Sequence, residues 1–171
     1  MASPAVQPLP GDFAVVSVHG EAGSLIRFGQ WLNGDGYANY EHAFIGVGDG
    51  QLVQAEPRGA SEASVAEYDG RTPLWSTGRV PVTDEQREAL VAAARSYVGV
   101  PYSFLDYGSI ALARFRIRPA FIKRYVADTR HMICSQLVDQ CYQDAGVHLF
   151  NDGRIPGDVT PGDLYRLIRA G

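Results

Sequence analysis

The residues best suited to covalent chemistry are two cysteines, and the first of them stands where a thiol becomes reactive. Residues 131–146 read His-Met-Ile-Cys-Ser-Gln-Leu-Val-Asp-Gln-Cys-Tyr-Gln-Asp-Ala-Gly. Leu137, Val138, Cys141, Tyr142 and Ala145 recur at helical spacing, and Gly146 suits a left-handed residue just past the last turn, so a short, half-buried helix is predicted. Seven residues are close to two turns, so Cys134 and Cys141 share the stripe that packs on the rest of the fold. Only Cys134 lies at the open amino end. There the unpaired backbone N–H groups and the positive end of the helix dipole favour thiolate over thiol. The same N–H groups, Ser135 among them, can hold an oxyanion. Cys141 reads as a small apolar side chain of the core.

A nucleophilic thiol needs a base, and residues 41–56 supply one. Glu-His-Ala-Phe-Ile-Gly-Val-Gly-Asp-Gly-Gln-Leu-Val-Gln-Ala-Glu is two alternating apolar runs around Gly48-Asp49-Gly50, a β-hairpin signal. A three-residue loop, Gly48 to Gly50, sets Val47 against Gln51 and His42 directly opposite Glu56, with imidazole and carboxylate on one face. A two-residue Asp49-Gly50 turn instead sets Ala43 against Glu56 and sends the two side chains to opposite faces. Gln54, two residues before Glu56 and on its face, is the alternative partner for the ring.

These segments resemble the NlpC-type branch of the papain-like thiol peptidases, in the circularly permuted form in which the histidine strand precedes the cysteine helix. The likeness rests on Gly11-Asp12, His42 to Gly50, Ala55-Glu56, Gly99-Val-Pro-Tyr102, Ile133 to Val138 and Thr160 to Leu164, which fall in the order of the permuted group and span nearly the whole chain. It implies an α+β fold, an antiparallel sheet packed against a cysteine-bearing helix. Carried over residue by residue, it implies Cys134 as nucleophile, His42 as general base and Glu56 as the group that orients the imidazole. It also implies that the Tyr102 hydroxyl assists the oxyanion site. The interval from Tyr102 to Cys134 is longer than in those relatives, which marks residues 104–131 as an insertion.

Around this centre, residues 1–10 read as a proline-broken flexible tail and residues 11–171 as a single domain. Phe13 to Val18 is a predicted buried strand, Ser24 to Leu32 a helix that carries Trp31, a candidate for stacking on substrate. Ser64 to Tyr68 and Leu74 to Val80 read as strands. Thr83-Asp-Glu-Gln86 is a capping box that opens a helix with Leu90, Val91, Ala94, Tyr97 and Val98 on its buried face. Thr160 followed by Pro161 starts the last helix. The insertion gathers Arg114, Arg116, Arg118, Lys123, Arg124 and Arg130. Read as a binding surface it would take a carboxylate or phosphate beside the cleft, with Arg130 nearest the thiol, and read otherwise it is a solvated face.

The composition narrows the partners. A net charge of −4 gives no general pull toward nucleic acid or anionic membrane. The amino terminus lacks the basic and apolar regions of a signal peptide, and no run is apolar enough to span a bilayer. A cytoplasmic, phage-associated or non-classically released protein is therefore expected. Seven residues of helix span about 10 Å, so the two cysteines cannot pair with each other. Without closely spaced metal ligands, no metal or other cofactor is predicted.

Three functions follow. The first is a thiol hydrolase cleaving an amide through an acyl-enzyme; the resemblance implies a peptide bond in a cell-wall (peptidoglycan) stem peptide or similar isopeptide. The second is an acyltransferase or thioesterase acting on acyl lipids. The third is an inert binding or assembly module of the same fold. Oligomeric state is silent in the sequence.

Overall fold

The computed structural model describes residues 7–17, 40–56, 58–100 and 134–170. Alternating apolar residues build a five-stranded antiparallel sheet: β1 (Phe13–Val16), β2 (His42–Gly48), β3 (Gln51–Glu56), β4 (Gly59–Ser64) and β5 (Leu74–Trp75), in the order β4-β3-β2-β1-β5. Three helices complete the described α+β architecture: α1 (Asp84–Ser96), α2 (Cys134–Asp144) and α3 (Pro161–Ala170). None of the described helices is long and apolar enough to cross a membrane.

The pleat sorts the core into two layers. Phe13, Val15, Ala43, Ile45, Val53 and Ala55 form one cluster with Leu90 and Ala94 of α1, Leu137, Val138, Cys141 and Tyr142 of α2, and Leu164 and Ile168 of α3. The alternate residues Ala14, Val16, Phe44 and Leu52 form a second cluster with Tyr68. Full burial of each large apolar side chain contributes roughly 1.5–3 kcal/mol, so the helices are held on the sheet mainly by the first layer.

Local chemistry sets the helix ends. Thr83 and Gln86 form a reciprocal capping box at the start of α1, as its sequence predicts. Of the expected buried face, Leu90 and Ala94 are buried while Val98, past the last turn, is 45% exposed. Helix α2 closes on a Schellman motif: Gly146, at φ +73°, donates to the Gln143 carbonyl at 2.9 Å and Val147 to that of Tyr142 at 2.8 Å. At α3 the Thr160 side chain caps the Asp163 N–H, and Asp163 returns a bond to the Thr160 N–H at 3.0 Å.

The Gly11-Asp12 pair anchors the first layer. Gly11 has φ +89°, a conformation that favours glycine, and a Cβ there would fit tightly, 3.2 Å from Leu90 Cδ1. Its carbonyl accepts the Tyr142 hydroxyl at 2.8 Å, and Asp12 pairs with Arg87 at 2.8 Å. Asp12 also accepts the Leu9 N–H, while the Pro10 carbonyl accepts Arg87, so the end of the expected tail is tied to the domain.

Two strand expectations are corrected. Residues 65–68 form a 3-10 turn capped by Ser64, with the strand itself running earlier, over Gly59–Ser64. Of Leu74 to Val80 only Leu74 and Trp75 pair in the sheet; Gly78 at φ +72° and the turn bond from Arg79 to Ser76 end the strand. The helix predicted over Ser24 to Leu32 and the insertion at 104–131 lie outside the described residues.

Candidate active site

The hairpin of β2 and β3 combines features of both expected geometries. Asp49 and Gly50 have φ of +51° and +70°, the two positive values of a two-residue type I′ turn, and Gly48 pairs with Gln51. A bulge between Gly46 and Gly48 then absorbs the extra residue Val47, so that Gly46 pairs with Leu52, Ile45 with Val53 and Phe44 with Gln54. Continued by two residues, this register sets His42 opposite Glu56, as the three-residue loop had required. The turn follows the Asp-Gly chemistry and the bulge restores the facing side chains.

The imidazole nevertheless bonds diagonally. His42 Nε2 lies 2.9 Å from Gln54 Oε1, and both side chains are buried. Among the described residues Glu56, which is half-buried at the end of β3, makes no hydrogen bond to the ring and acts on it through its charge. Gln54 therefore takes the orienting position expected of Glu56. Burial gives the reason: an amide loses less than a carboxylate on leaving water, and position 54 is only 1% exposed.

The candidate nucleophile and base meet at the starts of their elements. Cys134, first residue of α2, is hydrogen-bonded to His42, first residue of β2. Cys134 has no exposed surface and His42 is 7% exposed, so what solvent reaches the pair reaches the imidazole. Since Gln54 occupies Nε2, Nδ1 is the nitrogen left for the thiol. Burial, the largest single influence on His42, lowers its proton affinity. The hydrogen bond and negative charge of Cys134, the Gln54 bond and the Glu56 charge together outweigh it, and the pKa is raised above 6.5. A raised imidazole next to a thiol favours the imidazolium–thiolate pair.

Cys141 shares the helix and the burial of Cys134 but not its surroundings. Desolvation, with the Asp144 charge added to it, pushes its thiol far above 9.0. Ser135 also has a role other than the one its position suggests. Its hydroxyl donates to the Val159 carbonyl at 2.6 Å and pins the start of α2, so only its backbone N–H is left for an oxyanion.

Sequence reasoning missed Tyr68. Its hydroxyl donates to Gln54 Oε1, and its ring stacks on Phe44 at 4.8 Å between centroids and lies 6.0 Å from the His42 ring. Burial and the charges of Glu56, Cys134 and Glu67 raise the phenol above its usual range, so it stays a donor. No local signal marks this residue, because only the pairing of β3 with β4, Gln54 against Ser61, brings the following turn over the amide.

Backbone bonds from Gly99 to the Ala60 carbonyl and from Ala60 to the Val100 carbonyl, both 2.7 Å, lay the start of the Gly-x-Pro-Tyr segment beside β4. Tyr102 itself, Trp31 and Arg130 lie outside the described residues. Among the described residues no three His, Cys, Asp or Glu side chains group as metal ligands. Comparison of the chain with models of known protein families and with curated proteins gives no match.

Proposed function

We propose that this protein is a thiol hydrolase of the permuted NlpC-like, papain-like type, with Cys134 as nucleophile, His42 as acid and base, and Gln54 as the group that orients the imidazole. The observation that carries this reading is the chain of contacts from the Cys134 thiol through the His42 ring to Gln54. Cys134 Sγ attacks the carbonyl carbon of an amide, and the first N–H groups of α2 stabilise the oxyanion. The imidazolium then gives its proton to the leaving amine as the C–N bond breaks, leaving a thioester. Water, deprotonated by His42, attacks that thioester, and the thiolate departs with the acid product. Gln54 holds the Nε2 proton throughout and keeps Nδ1 on the sulfur.

The resemblance directs the substrate toward a peptide or isopeptide bond of a cell-wall stem peptide. Incubation of the protein with purified wall fragments and, separately, with acyl thioesters and acyl lipids tests the assignment, with Cys134→Ala as control. Release of new amino termini from wall fragments by the wild type alone supports it. Turnover of the acyl lipids alone favours the acyltransferase, and turnover of neither favours the inert module.

A further inference from the structure

The amide of Gln54 has two ends with opposite consequences for the imidazole. With Oε1 toward His42, the ring keeps its proton on Nε2 and Nδ1 faces the thiol as acceptor. With the amide reversed, its N–H₂ confronts Nε2, which must then accept. The neutral ring would carry its proton on Nδ1, where it could not take one from Cys134. Two donors meet at Gln54 Oε1, the imidazole N–H and the Tyr68 hydroxyl. The second does not depend on the charge of the ring.

We infer that Tyr68 is a positioning residue for the reaction: its O–H fixes the Gln54 amide with Oε1 toward His42, and thereby fixes which imidazole nitrogen serves the thiol. The inference rests on the thiol-hydrolase reading and deepens it. Three features of the fold support it. Tyr68 is 6% exposed, so water does not compete readily for its hydroxyl. The Ser64-capped turn and the stack on Phe44 hold the ring in one place. Burial also keeps the phenol protonated, so its O–H is there to donate to the amide oxygen. The charged and titratable groups around the cluster are Cys134 from α2, Glu56 from β3, and Glu67 and Arg71 beside the phenol. All of these stay in place in Tyr68→Phe, which removes one oxygen and keeps the ring.

The test is the rate of Cys134 alkylation by iodoacetate against pH, in wild type, Tyr68→Phe, Gln54→Leu and the double variant. The wild-type profile is expected to be bell-shaped, falling on the alkaline side as the imidazolium loses its proton. In Tyr68→Phe the plateau should fall about three- to tenfold, the size of one lost hydrogen bond, and the alkaline limb should move to lower pH. Adding Tyr68→Phe to Gln54→Leu should then change neither. An unchanged profile in Tyr68→Phe, or a lower plateau with an unmoved limb and effects that multiply in the double variant, overturns the inference and leaves the hydrolase standing. A wild type without the bell overturns both. Should Tyr68→Phe not fold, ¹⁵N spectra of the wild-type ring decide: a neutral His42 protonated on Nε2 is expected, and protonation on Nδ1 contradicts the role.

Discussion

Cys134 and Cys141 lie on one helix, on one apolar stripe and equally out of reach of solvent, yet their surroundings prepare them for opposite fates. Cys134 begins α2, at the amino end of the helix and beside a raised imidazole. Two turns later Cys141 is enclosed by the first core layer, and burial drives its thiol toward permanent protonation. What separates the two is whether a partner able to offset the cost of a buried charge stands beside them, and His42 stands at one end of the helix only.

Replacement of the cysteines should give the largest contrast. Cys134→Ala is expected to lower turnover by at least about a thousandfold with an unchanged melting temperature, because it removes the attacking atom. Cys141→Ser should leave turnover within a few-fold but cost about 1–3 kcal/mol in denaturant titrations, the penalty of a hydroxyl in an apolar pocket. Next in size, His42→Ala should slow alkylation of Cys134 near neutral pH about a hundredfold while leaving Cys141 as unreactive as before.

A smaller effect distinguishes the two acceptors on β3. Gln54→Leu leaves the ring N–H and the Tyr68 hydroxyl without a partner and should reduce kcat about ten- to a hundredfold. Glu56→Gln, which removes a charge that makes no hydrogen bond to the ring, should change it by less than about threefold. If the order is reversed, the carboxylate is the orienting group.

A last effect, on stability rather than turnover, lies between the cysteines. Asp139 is buried on α2, and that burial raises its pKa from 3.8 to about 6 against the opposing bond from Gln143 and the charges of Arg154 and His148. The native state thus holds this proton more tightly than the unfolded chain, and stability is lost as pH rises from about 4 to about 6. Asp139→Asn keeps an acceptor for Gln143 and should stabilise the protein at pH 7 by up to about 2–3 kcal/mol, with no gain at pH 3, as thermal unfolding at the two pH values would show.

How much of this was legible in the sequence varies with the range of the interaction. The close of α2 at Gly146, the start of α3 at Thr160-Pro161, the capping box of α1 and the Asp-Gly turn follow from neighbouring residues, and the structure has each of them. The facing of His42 and Glu56 was legible only as a choice between two loops, because the bulge at Val47 answers to packing across the sheet rather than to the turn. The choice of Gln54 over Glu56 depends on burial, which alternation assigns to both positions alike. Tyr68 was illegible, since its meaning arises from a pairing of strands that its own segment does not encode.

The central claim is that one of two equally buried thiols is held as a thiolate by an imidazole. Site-resolved mass spectrometry of the native protein after brief iodoacetamide exposure, repeated from pH 5 to pH 9, measures this directly. The account predicts that Cys134 is modified well below the ordinary thiol pKa while Cys141 is untouched until the protein unfolds. Equal, slow modification of both, rising only near pH 9, would contradict it.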